Sequence, residues 1–195
     1  FWAGLIPVAP GQARVIKLFG RYDGTVHQTG LQWVNPFTTR TKVSVRIRNQ
    51  ETPILKVNEA QGNPIDIAAV VVWQVWDTAK ATFVVDDFVQ FVAKQAETAV
   101  RHVATNYPYD AHGDGRLSLR DNPADVTTQL TAEITERVAA AGVRVIESRI
   151  THLAYAPEIA QAMLRRQQAD AVVAARQRIV EGAVGMVQQA LDQLA

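Results

Sequence analysis

The sequence predicts an α+β fold, and three observations carry that expectation. Short apolar runs broken by Gly, Asp-Gly and Asn-Pro fill the first third of the chain, two amphipathic helical stripes follow, and a long stretch without internal proline closes it. With 195 residues, 48% hydrophobic and 20% charged, the chain is long for one domain and short for two. One compact body with an appendage is expected.

The elements follow in order. "FWAGLIPVAP" opens the chain, and Phe1, Trp2, Leu5 and Ile6 have the character of the end of a membrane anchor lying upstream; an apolar strand packing on the domain is the other reading. Pro10-Gly11, Gly20, Asp23-Gly24, Gly30 and Asn35-Pro36 then punctuate short strands. From Arg40 to Asn49 the alternation is strict. Val43, Val45 and Ile47 are expected to face the core, with Arg40, Lys42, Arg46 and Arg48 as a basic ladder on the other side, able to meet lipid phosphates, an acidic neighbour or plain solvent.

"GNPIDIAAVVVWQVW" reads as a strand covered on both faces, with Trp73 and Trp76 expected to fill core. The first helix should be capped by Asp86-Asp87 and bury Phe88, Val92, Gln95 or Ala96, Ala99 and Val103. The second should start at Asn122-Pro123, bury Val126, Leu130, Ile134, Val138 and Ala141, and stop at Gly142. "VRVIESRI" alternates as a returning strand. After Pro157 a helix of about 57 Å is expected, on a rise of 1.5 Å per residue. Val172, Ala175, Ile179, Ala183, Met186 or Val187, Ala190 and Leu194 recur at three-four spacing along it, a stripe that a body this small cannot bury and that calls for partner helices; a helix that folds back or breaks at Gly182 or Gly185 is the alternative.

Composition and motifs narrow the function. The chain has no cysteine, which removes disulfides, thiolate metal sites and cysteine nucleophiles. The formal charge is +1, yet residues 1–60 hold eight Lys/Arg against three Asp/Glu and the remainder is mildly acidic, a front that suits an anionic membrane surface, a chance split of exposed charge being the other reading. The three serines lie in no Gly-x-Ser-x-Gly turn and the four histidines form no His-x-x-x-His pair. No phosphate-cradling glycine loop is present, and the near-neutral charge gives no footprint for nucleic acid. No catalytic, cofactor-binding or metal-binding residues are therefore expected. The rival reading is a soluble enzyme or small-ligand domain built on Asp110, His112 and Asp114, a trio that lacks the spacing of a calcium loop.

Several separated blocks, in order, resemble a known family. "VAPGQARVIKLFGRYDGTVHQTGLQWVNPF", "VSVRIRN", "LKVNEAQGNPIDIAAVVVWQVWDTAKATF" and "AGVRVIESRITHLAYAPEIAQAMLRRQQADA" are similar to the stomatin, prohibitin and flotillin domain, known as SPFH or band 7, and nearest its bacterial members. The likeness runs from about residue 5 to 185. It implies a β-rich membrane-proximal part (1–60), an α/β part of the same domain (61–156) and the start of a coiled-coil helix (157–195). It also implies a non-catalytic scaffold without cofactors, held at a membrane by an N-terminal anchor. Such a scaffold gathers into rings or cages with copies of itself, contacts lipids and restrains membrane proteins such as proteases. Gly30, Trp33, Asn35, Pro36 and Phe37 match the family's membrane-proximal turn, and Ala154 to Glu158 its junction to the long helix.

Overall fold

Strands occupy the first part of the computed structural model, which describes residues 4–110 and 117–194. They are β1 (Leu5–Val8), β2 (Gln12–Leu18), β3 (Arg21–Val26), β4 (Gly30–Trp33), β5 (Thr38–Ser44), β6 (Arg48–Glu51), β7 (Leu55–Asn58) and β8 (Pro64–Val75). Helices α1 (Thr78–Phe83), α2 (Phe88–Asn106) and α3 (Pro123–Ala139) follow, then β9 (Val143–Tyr155) and α4 (Pro157–Leu194). The fold is α+β, as the sequence predicts. Phe1–Ala154 and Tyr155–Ala195 form separate units.

Within the first unit, β1 pairs antiparallel with β4, and β2 lies between β3 and β5. A third sheet is organised on β8, with β6 and β7 antiparallel to it and β9 also paired to it. Glu51 faces Val70 and Leu55 faces Ile67, so β6 and β7 run end to end along β8 with one extra residue between them, a bulge at Pro53. Thr52 holds the bulge: its N–H donates to the Ala69 carbonyl (2.9 Å) and its Oγ1 accepts from the Ala69 N–H (3.0 Å).

The two helical stripes land as expected, except that Phe88, at the start of the first, is only half-buried. Val92, Ala96, Ala99 and Val103 of α2, and Val126, Leu130, Ile134 and Val138 of α3, are buried. Asp87 caps α2, its Oδ1 accepting from the N–H groups of Val89 and Gln90 (2.8 and 3.2 Å). Asn122 does not cap α3; its Oδ1 accepts instead from the Ser118 N–H, and Pro123 occupies the first turn. Phe88 meets Trp73 edge to face at 6.1 Å, which fixes the start of α2 on β8. Thr131 Oγ1 and Ser148 Oγ, 2.6 Å apart, tie α3 to β9.

Only one face of β8 is fully covered. Ile65, Ile67, Ala69, Val71, Trp73 and Val75 are buried, but Val70 and Val72 on the other face are only half-buried. Trp76, expected in the core, is 69% exposed, with the Arg144 guanidinium 5.6 Å above its ring. Trp76 shares the face of Val70 and Val72 and follows the end of the strand at Val75, so it lies on the less covered side.

Candidate membrane-facing surface and assembly helix

The β1–β4 ribbon sorts its residues by pleat. Leu5 pairs with Trp33, Ile6 with Gln32 and Pro7 with Leu31. Ile6 and Val8 turn inward onto Ile16 and Val34, while Leu5, Pro7, Leu31 and Trp33 turn outward. Leu31 is 72% and Trp33 62% exposed. Ile6 is therefore core rather than surface, because it sits one residue out of phase with Leu5; Leu31, which sequence reasoning missed, takes its place on the outer face. The i, i+2 relation of Leu31 to Trp33 was the available signal.

Beyond Trp33, Asn35 shapes a tight turn. Its Oδ1 accepts from the Phe37 N–H (3.1 Å), and its carbonyl accepts from the Thr38 N–H (3.2 Å) and Oγ1 (2.7 Å). Pro36 and Phe37 are left at the tip, and Phe37 is 78% exposed. Phe1 and Trp2 lie outside the described residues.

The basic ladder does not form. β5 stops at Ser44, and the chain crosses through 45–47 to β6 in a different sheet, which breaks the two-residue period. Ile47, expected in the core, is exposed and Val45 half-buried. Arg40, opposite Ile16, is half-buried, and Lys42 is exposed. Arg46 donates to the Pro10 carbonyl (3.1 Å), and Arg48 lies 5.6 Å over the rings of both Trp73 and Phe88. The four cations point to different surroundings, and Lys42 and Arg46 are the exposed pair.

In the second unit, α4 is unbroken through Gly182 and Gly185. Every residue from Gln168 to Ala190 is exposed, including Val172, Ala175, Ile179, Ala183 and Val187; the Leu194 side chain lies outside the described residues. Two apolar rows, not one, run along it. Val172, Ile179 and Met186 make the first, and Val173, Val180 and Val187 the second. Successive residues on an α-helix are about 100° apart, so the rows are offset by about that angle. Sequence reasoning merged them into a single stripe.

Asp110 is half-buried, and His112 and Asp114 lie outside the described residues. Among the described residues no three His, Asp or Glu side chains gather as a metal site would need, and no helix is long and apolar enough to cross a membrane. A surface ion network joins α2 to α3. Glu133 accepts from Arg137 (2.7 Å) and lies 2.8 Å from His102 Nδ1. Burial alone would push the Glu133 carboxyl up, but hydrogen bonds from His102 and Arg137, then their charges, outweigh it and hold the pKa below its ordinary value. With its carboxylate engaged on both sides, this network reads as a clasp.

The sequence pattern of the SPFH domain / Band 7 family matches residues 6–184. A putative band 7 family protein, R614, of Acanthamoeba polyphaga mimivirus is 26% identical over 192 residues, covering 96% of this chain and 60% of that protein. An uncharacterized protein of Methanothermobacter thermautotrophicus is 26% identical over 162 residues, covering 83% of this chain and 48% of the relative. The chain thus spans about half the length of these relatives. With that match running from β1 into α4, through every sheet and helix described above, the chain belongs to the SPFH domain / Band 7 family.

Proposed function

We propose that this protein is a non-catalytic scaffold at a membrane surface, which gathers copies of itself to organise the bilayer around them and to restrain membrane proteins such as proteases. Family membership supports the membrane role in general terms. The observation that carries assembly is α4: six Val, Ile and Met side chains in two rows are each between 52% and 71% exposed, on a helix with no polar face broad enough to isolate them. Rows offset by about 100° suit a helix with a neighbour on each side, as in a ring or cage wall, better than a single partner.

The outward face of the β1–β4 ribbon and the Phe37 tip supply the lipid contact. Each copy offers only a few apolar side chains there, so a single copy would bind weakly. Many copies on one assembly convert weak contacts into firm attachment by raising effective concentration. Sedimentation of the chain with and without anionic vesicles, over a wide protein concentration range, tests both halves. Assembly without vesicles and co-sedimentation with them are the expected results; a lone particle at every concentration refutes the scaffold.

A further inference from the structure

The β2–β3 hairpin carries a residue that local physics disfavours. Leu18 pairs with Arg21, and the two-residue turn between them is Phe19-Gly20, with φ of 48° and 83°. Two positive φ values define the turn that matches strand twist, and Asn or Gly ordinarily fills its first position because a bulky side chain is strained there. Phe19 is the one described non-glycine residue with positive φ, and it is 89% exposed. The folded domain thus holds a strained backbone for a ring that packs on almost nothing.

Strand register places this tip. Leu18 is opposite Thr38, so the Phe19 turn leaves the sheet at the same end as Phe37, one residue before Thr38. On the adjoining side Tyr22 meets Phe83 edge to face at 5.7 Å, Lys17 Nζ lies 4.6 Å over the Phe83 ring, and Val84 is exposed. A Cβ built on Gly20 would meet nothing within 4 Å, so the tip stands clear of other atoms. Arg21 is exposed beside it, and Asp23 is the nearby carboxylate on the same strand.

We propose that Phe19 is a membrane-inserting residue, which, together with Phe37, enters the interface of a bilayer rich in anionic lipid while Lys17 and Arg21 stay at headgroup level. This rests on the membrane reading above and adds a second insertion point to it. Protruding rings need no matching cavity in a fluid partner, whereas a protein partner would have to present a groove for each. An apolar tip with cations behind it has the polarity sequence of a lipid surface, acyl boundary first and phosphate next.

The test separates strain from contact. Phe19→Gly removes the ring and the backbone strain together, so thermal stability should hold or rise while affinity for phosphatidylcholine/phosphatidylserine vesicles falls roughly tenfold, the worth of half-burying one aromatic side chain. Phe19→Trp should restore binding. If wild type binds and Phe19→Gly binds equally, the inference fails and the membrane reading stands; if wild type binds neither those vesicles nor pure phosphatidylcholine, both fail. A drop in melting temperature with Phe19→Gly would make the ring structural, and loss of self-association without vesicles would assign it to a protein contact; either overturns the proposal.

Discussion

Replacing one row of α4 at a time tests the two-neighbour geometry most directly. In the variant Val173→Gln, Val180→Gln, Val187→Gln, helix propensity is largely kept while one apolar row becomes polar. Fully burying a Val, Ile or Met side chain is worth about 1.5–3 kcal/mol, and these six keep roughly 60% of their surface open, which leaves about 1–2 kcal/mol each to be gained on contact. A row of three is then worth about 3–5 kcal/mol, or on the order of 10²- to 10⁴-fold in the association constant at that contact. Comparing variants cancels much of the fixed cost of association, so this difference is firmer than any absolute affinity. Sedimentation velocity should show large assemblies for the wild type and pairs for either single-row variant, Val172→Gln, Ile179→Gln, Met186→Gln being the second. Changing both rows should leave monomers. A single-row variant that assembles to the wild-type size at the wild-type concentration refutes the two-sided contact, and assembly that survives loss of both rows removes α4 as its cause.

Other expectations concern the body. Gly142 has φ of 67°, and a Cβ there would lie 2.4 Å from the Asp77 carbonyl, while its own carbonyl accepts from the N–H groups of Trp76 and Asp77 (3.0 and 2.9 Å). Gly142→Ala should therefore cost about 2–4 kcal/mol and lower the melting temperature by about 10 °C in a thermal scan. Buried Glu59 accepts from the Asn63 side-chain amide (2.6 Å) and from the Tyr109 N–H, joining the β7–β8 turn to the segment after α2. Glu59→Ala removes both acceptors and should destabilise by about 2–3 kcal/mol in urea, with Glu59→Gln losing less. Glu133 has a folded pKa below its ordinary value near 4.5, so its stabilising effect is present above that value and lost as pH falls through the lower, folded one. The wild type should exceed Glu133→Gln by about 1 kcal/mol at neutral pH, a modest figure because His102 is largely exposed, and the gap should close on acidification. A gap that persists undiminished in acid would contradict the clasp.

Much of this was legible in the residue pattern. Three-four spacing identified the buried residues of α2 and α3, Asp87 marked the start of the first, and unbroken helical sequence after Pro157 gave α4 its length. The ordered blocks gave the family. These are local properties, settled by neighbours a few residues away. Periodicity says which side chains share a face, but whether a face is covered depends on what distant segments bring to it. Ile6 and Leu5 differ by one step of the pleat, and only the docking of β1 over Ile16 and Val34 decides which is core. The Arg40 to Arg48 alternation was real in the sequence and ended at 45–47 because the chain changes sheets there, sending Arg48 onto Trp73 and Phe88. Phe19 gave no sign of its backbone strain until the register of β2 with β3 and β5 set both its conformation and its company.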